Sequence, residues 1–79
     1  MSWDAVAELL ASMAAQQEEK VLALARGLVP HLTREDLRNP HDFAALVESG
    51  DFNYEDGILA GLRTAETAVR AARPRPPNG

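Results

Sequence analysis

The sequence predicts an all-α fold: an antiparallel helical hairpin with two short connecting helices, completed by a second copy as a dimeric four-helix bundle. Three observations carry this. Apolar residues recur at helical spacing over residues 2–29 and again over 53–72. Between the two runs lies a turn-rich stretch opened by Pro30. The core is also thin for a chain that has no cysteine to staple it: 14 of the apolar residues are alanine. A chain of 79 residues makes one domain, and below about 70–80 residues a lone core supplies only about 3–5 kcal/mol. With disulfides excluded, self-association or a metal is the remaining source of stability.

The first helix is expected over 2–29, with Ser2 as N-cap and Asp4 placing a carboxylate against the helix dipole. Trp3, Val6, Ala7, Leu10, Met13, Ala14, Val21, Leu24, Ala25 and Leu28 share one face, and Leu9 widens it. A stripe that broad meets more than one neighbour. Gln17 interrupts it, and we read Gln17 as lying near the rim or extending its amide to water, against the alternative of a buried residue fixing helix register. Pro30 ends the helix by pushing Val29 out of the α region.

Residues 30–50 are expected to form a compact connector. Thr33 and Asp36 have capping-box spacing, and Leu32 and Leu37 that of a hydrophobic staple. A second short helix would begin at Asn39 and Pro40, turn Phe43, Leu46 and Val47 inward, and stop at Gly50.

The last helix is expected from about residue 53 to 72, capped by Asp51 or Asn53, with Glu66 and Arg70 paired one turn apart. Tyr54, Ile58, Leu62, Ala65, Val69 and Ala72 form its apolar face, with Tyr54 pointing inward. The helical domain is thus residues 1–72, and the Pro- and Arg-rich residues 73–79 are expected to be a disordered tail.

The segment DFNYEDG raises the question of a cation loop, since Asp51, Asn53 and Glu55 alternate as calcium ligands do. Asp56 stands where the loop needs glycine, however, and Leu62 where it needs a bidentate carboxylate. No metal or other cofactor is expected. Gly57 and Gly61 each cost a helix about 1 kcal/mol relative to alanine, so they need a reason. With Ala68 they form a shoulder of small residues suited to close helix approach. The first helix of the same chain is the simplest occupant, and a second subunit or foreign helix the alternative.

Catalysis is not expected. His31 and His41 lack a second ligand at metal spacing, and adjacent helical residues such as His41 and Asp42 do not face each other. The net charge of −4 argues against nucleic acid, and no apolar run is long enough to span a membrane. Seven arginines against one lysine, with abundant alanine, suggest a GC-rich bacterial genome, and an N-terminus without a basic leader suggests the cytoplasm.

The functional expectation is therefore a small, non-catalytic, homo-oligomeric interaction module, a homodimer open to a further unidentified protein partner. The alternative is a small-ligand or metal binder using the acids of residues 51–56. Candidate interface residues are Trp3, Leu10, Met13, Gln17 and Val21 on the first helix, and Tyr54, Gly57, Ile58, Gly61 and Ala68 on the last.

Overall fold

A computed structural model describes residues 1–75 of the chain; part of the tail expected over 73–79 lies outside them. The described residues form helices and turns, with no strand. Helix α1 runs Trp3–Leu28, α2 Ala44–Val47 and α3 Gly50–Ala72, and two 3₁₀ turns, Glu35–Arg38 and Pro40–Asp42, precede α2. The two long helices lie against each other. Asp4, in the first turn of α1, pairs with Arg73, just past the end of α3, while Gln17 meets Glu55 midway. The molecule measures 53 × 20 × 20 Å. It therefore has an open end, where α1 begins and α3 ends, and a connector end, where residues 29–49 join them.

Local chemistry explains the boundaries of α1. Ser2 takes an extended conformation and its hydroxyl accepts from the Ala5 N–H at 3.0 Å, supplying one of the helix's missing acceptors. At the other end Val29, before Pro30, is extended at φ −129°. His31 then adopts φ 72°, a left-handed conformation that glycine normally takes.

The connector is held by side chains. Thr33 and Asp36 form the reciprocal capping box: the Thr33 N–H donates to Asp36 Oδ2 (2.9 Å) and the Asp36 N–H to Thr33 Oγ1 (3.2 Å). Leu32 is buried and Leu37 packs against the same cluster. Arg26 donates from Nε to the Leu32 carbonyl at 2.8 Å, tying the connector back to α1.

Several expected boundaries move. Asn39 makes no side-chain cap, and the single helix expected from Asn39 to Gly50 is a 3₁₀ turn followed by the one-turn α2. Val47 is exposed there while Leu46 is fully buried. Gly50 terminates nothing; it is the first residue of α3, which starts three residues earlier than expected. Ser49 is its cap, accepting from the Phe52 N–H at 3.1 Å. Asn53, expected as a cap, reaches backwards instead: its amide donates to the carbonyls of Val47 (2.9 Å) and Ser49 (2.8 Å), fixing the turn between α2 and α3.

The core is small. Val21, Leu22, Ala25, Leu32, Leu46, Phe52 and Leu59 are buried toward the connector end; Ala7 and Ala14 are the buried residues toward the open end. In α1 the buried positions Ala7, Ala14 and Val21 recur every seven residues, as Phe52 and Leu59 do in α3. That interval keeps one seam facing its partner along a pair of gently supercoiled helices.

Candidate interaction surface

The seam between α1 and α3 changes along its length: Val21, Leu22, Phe52 and Leu59 are buried toward the connector end, and Ala7 and Ala14 toward the open end. Glu55, Asp56 and Glu66 are half-buried along α3. Further large apolar residues lie beside this seam. Trp3, Leu9 and Met13 are exposed on α1, with Val6 and Leu10 half-buried; Tyr54 and Ile58 are exposed on α3.

This corrects the expected orientation of α3. At about 100° per residue, the face Tyr54–Ile58–Leu62–Ala65–Val69 is turned roughly a quarter turn away from the line Phe52–Leu59 that meets α1. Tyr54, expected to point inward, is 70% exposed. Phe52, which the acidic run DFNYEDG disguises as part of a cap, is 1% exposed and anchors the core. The signal that could have found it is Ser49: a serine cap there starts the helix early enough to bring Phe52 and Leu59 onto one line.

Two bonds fix which flanks of the helices lie together. Gln17 and Glu18 are neighbours on α1, so they leave it about 100° apart. The Gln17 amide donates to the Glu55 carbonyl (2.9 Å) and carboxylate (3.2 Å), whereas Glu18 pairs with Arg63 at 2.8 Å. On the Glu18 side the surface is charged and occupied. Arg34 of the connector bridges Glu18 and Glu19, at 2.9 and 2.7 Å, and Arg38 and Asp56 line the same open groove. The two glutamates bonded to Arg34 hold its pKa above the ordinary arginine value, Glu19 contributing most. On the Gln17 side the projection gathers Val6, Leu10 and Met13 of α1 beside Ile58, Leu62, Ala65 and Val69 of α3. Between Trp3 and Gln17 the α1 positions on this flank are uncharged; on α3 Glu66, one turn from Leu62 and paired with Arg70 at 3.0 Å, borders it. The pair Lys20–Glu55 (3.1 Å) closes it toward the connector end.

The ten candidate interface residues therefore fall into separate groups. By projection Leu10, Met13 and Ile58 fall on the same apolar flank, with Trp3 exposed at its open end. Val21 is fully buried within the chain, so it is unavailable to a partner. Gln17 is half-buried at the edge of the seam, and its amide donates to Glu55 rather than turning to water. Gly57, Gly61 and Ala68 lie on the outer surface of α3. A methyl group added at Gly57 or Gly61 would meet nothing within 4 Å, so α1 is not the occupant of the shoulder.

The acids of residues 51–56 do not converge. Asp51 is exposed, Glu55 is bonded to Gln17 and Lys20, and Asp56 turns to the opposite groove. Their electrostatics diverge accordingly. The Gln17 amide, then the Lys20 ammonium, hold the Glu55 carboxyl below its ordinary value, while partial burial without a cationic partner raises that of Asp56. Among the described residues no three histidines, cysteines or carboxylates group as a metal site would need. His41 and Asp42, expected not to face each other, approach to 3.6 Å in the 3₁₀ turn, both exposed. Among the described residues no helix is long and apolar enough to cross a membrane. Comparison with protein-family models, with curated proteins and with solved structures gave no match to this chain.

Proposed function

We propose that this chain is a non-catalytic helical interaction module that acts as a homo-oligomer, an antiparallel hairpin completed by a second copy into a four-helix bundle. The observation that carries this reading is the inversion of side-chain size. Toward the open end only Ala7 and Ala14 fill the seam between α1 and α3, while Leu9, Met13, Tyr54 and Ile58 are exposed. Exposed apolar area on this scale is a feature of association surfaces. The thin core supports it further, since a chain of this length without disulfides gains from association the stability its own interior lacks.

The reading is tested by sedimentation equilibrium over a hundredfold range of protein concentration, followed by thermal unfolding at each concentration. A homo-oligomer gives a mass above 8.6 kDa and a melting temperature that rises with concentration, because mass action favours the assembled state. A chain that stays monomeric throughout, with a constant melting temperature, overturns the proposal.

A further inference from the structure

We infer that the groove between the connector and α3 binds a free amino acid with an apolar side chain, its carboxylate held by Arg38 and its ammonium by Asp56. The groove lies on the Glu18 side of the molecule, away from the apolar flank, so this goes beyond the homo-oligomeric reading and does not depend on it.

Three elements build the groove. Asp56, Leu59, Ala60 and Arg63 fall on one face of α3, one and two turns apart. Leu37 and Arg38 line it from the connector. Glu18 of α1 fixes two of the arginines beside it, pairing with Arg34 at 2.9 Å and with Arg63 at 2.8 Å. The groove holds about 400 Å³, within the range of about 300–1,000 Å³ typical of small-molecule sites. Its apolar part is firm, because Leu59 belongs to the core and Leu37 packs against it.

Charge narrows the ligand. Arg34 and Arg63 have carboxylate partners, but the ion pairs among the described residues include neither Arg38 nor Asp56. Opposite charges thus line one groove without meeting. Asp56 is half-buried, and burial with no cation beside it raises its pKa. A carboxylate held there is a cost to the fold, of the kind that binding sites carry. A simple anion would satisfy Arg38 and be repelled by Asp56. A simple cation would satisfy Asp56 in a groove that also carries three guanidiniums. A molecule bearing both charges satisfies both residues through charge-assisted hydrogen bonds, and an aliphatic side chain between them would cover Leu37 and Leu59.

The test is a titration of the full, isotope-labelled chain with leucine, followed through its amide resonances. The expected result is a saturable shift at millimolar leucine, confined to residues 37–38 and 56–63. N-acetylleucine, which lacks the ammonium, and leucinamide, which lacks the carboxylate, should each bind about tenfold more weakly or worse. Arg38→Gln and Asp56→Asn should each weaken leucine by a similar factor with helicity retained. The absence of a saturable shift with leucine overturns the proposal, as does equal binding of N-acetylleucine or of inorganic phosphate, which would make the groove a plain anion site. An Asp56 carboxyl that titrates below the ordinary aspartate range in the free chain also overturns it, because Arg38 would then be its partner in solution. The analogues are compared on the wild-type chain, so they decide even if a variant unfolds. A chain that proves monomeric still meets this test, which separates its outcome from that of the homo-oligomeric reading.

Discussion

The two ends of the helical pair are built from the same helices and hold together differently. At the connector end Val21, Leu22, Leu46, Phe52 and Leu59 are enclosed, because the chain between α1 and α3 folds over the seam and adds a third side. At the open end the described residues supply no third side, and those buried there are Ala7 and Ala14. Burial of a large apolar side chain contributes about 1.5–3 kcal/mol and an alanine methyl much less. One end of the molecule is thus stabilised by its own chain, while the other presents its larger apolar residues outward. The difference teaches that an amphipathic helix has two separate properties, how much apolar surface it carries and how much of it its own chain covers.

Substitutions at the two ends should separate them most sharply in the core. Phe52→Ala is expected to cost about 3–5 kcal/mol, the range for emptying a fully enclosed aromatic site. Leu10→Ala, measured by urea unfolding at concentrations low enough to hold the chain monomeric, should cost under about 1 kcal/mol because the site is only half enclosed. Equal costs would abolish the distinction between the ends. A cost at Leu10 that grows with protein concentration would sharpen it, by assigning the missing enclosure to a second copy.

Helix caps offer a smaller version of the same contrast. Ser49→Ala removes the acceptor for the Phe52 N–H beside the buried ring and should lose about 1 kcal/mol. Ser2→Ala removes an equivalent bond at a terminus that frays independently of the core, so thermal unfolding should register a smaller loss.

At the turn that closes the connector end, His31→Gly should raise stability by about 0.5–1 kcal/mol. The left-handed backbone costs an L-residue about 1–2 kcal/mol, offset in part by the entropy glycine loses on folding. An unchanged chemical-denaturation midpoint would mean that the imidazole makes up the difference.

The smallest effects belong to two neighbouring carboxylates near the boundary between the ends. Glu55, with its folded pKa depressed, contributes stability above its unfolded value that is lost as pH falls through the folded one. Asp56, with its pKa raised, has the opposite sign: its contribution is present below its unfolded value and lost as pH rises through the folded one. Melting temperature followed from pH 7 into the acid range should therefore fall less steeply for Glu55→Gln than for wild type. At pH 7 Asp56→Asn should stabilise and Glu55→Gln destabilise; matching signs would contradict the different settings of the two groups.

Much of the fold could be read from the sequence because its signals are local. Ser2, Pro30, the Thr33–Asp36 box and the Glu66–Arg70 pair each act within one turn of chain, and each forms as its spacing predicts. The start of α3 and its rotation were not legible. Hydrophobicity locates the apolar face of a helix, but which face meets α1 is decided by contacts between distant residues, such as Phe52 with the core and Gln17 with Glu55. Tyr54, Ile58 and Val69 were thus correctly read as one face and assigned to the wrong neighbour. The glycines misled for a related reason: a cost to the helix signals that something is accommodated, without saying on which side.

The seven-residue recurrence of Ala7, Ala14 and Val21, matched by Phe52 and Leu59, has a consequence for how this molecule can change in length. Adding seven residues to each helix restores every seam position to its register and lengthens the pair by about 10.5 Å. Adding three or four would swing the open end around the axis and carry the apolar flank off its own side. Length in this architecture is therefore quantised: the pair can be extended or trimmed in whole repeats while the connector end stays as it is, so reach and surface direction vary independently of the part that folds.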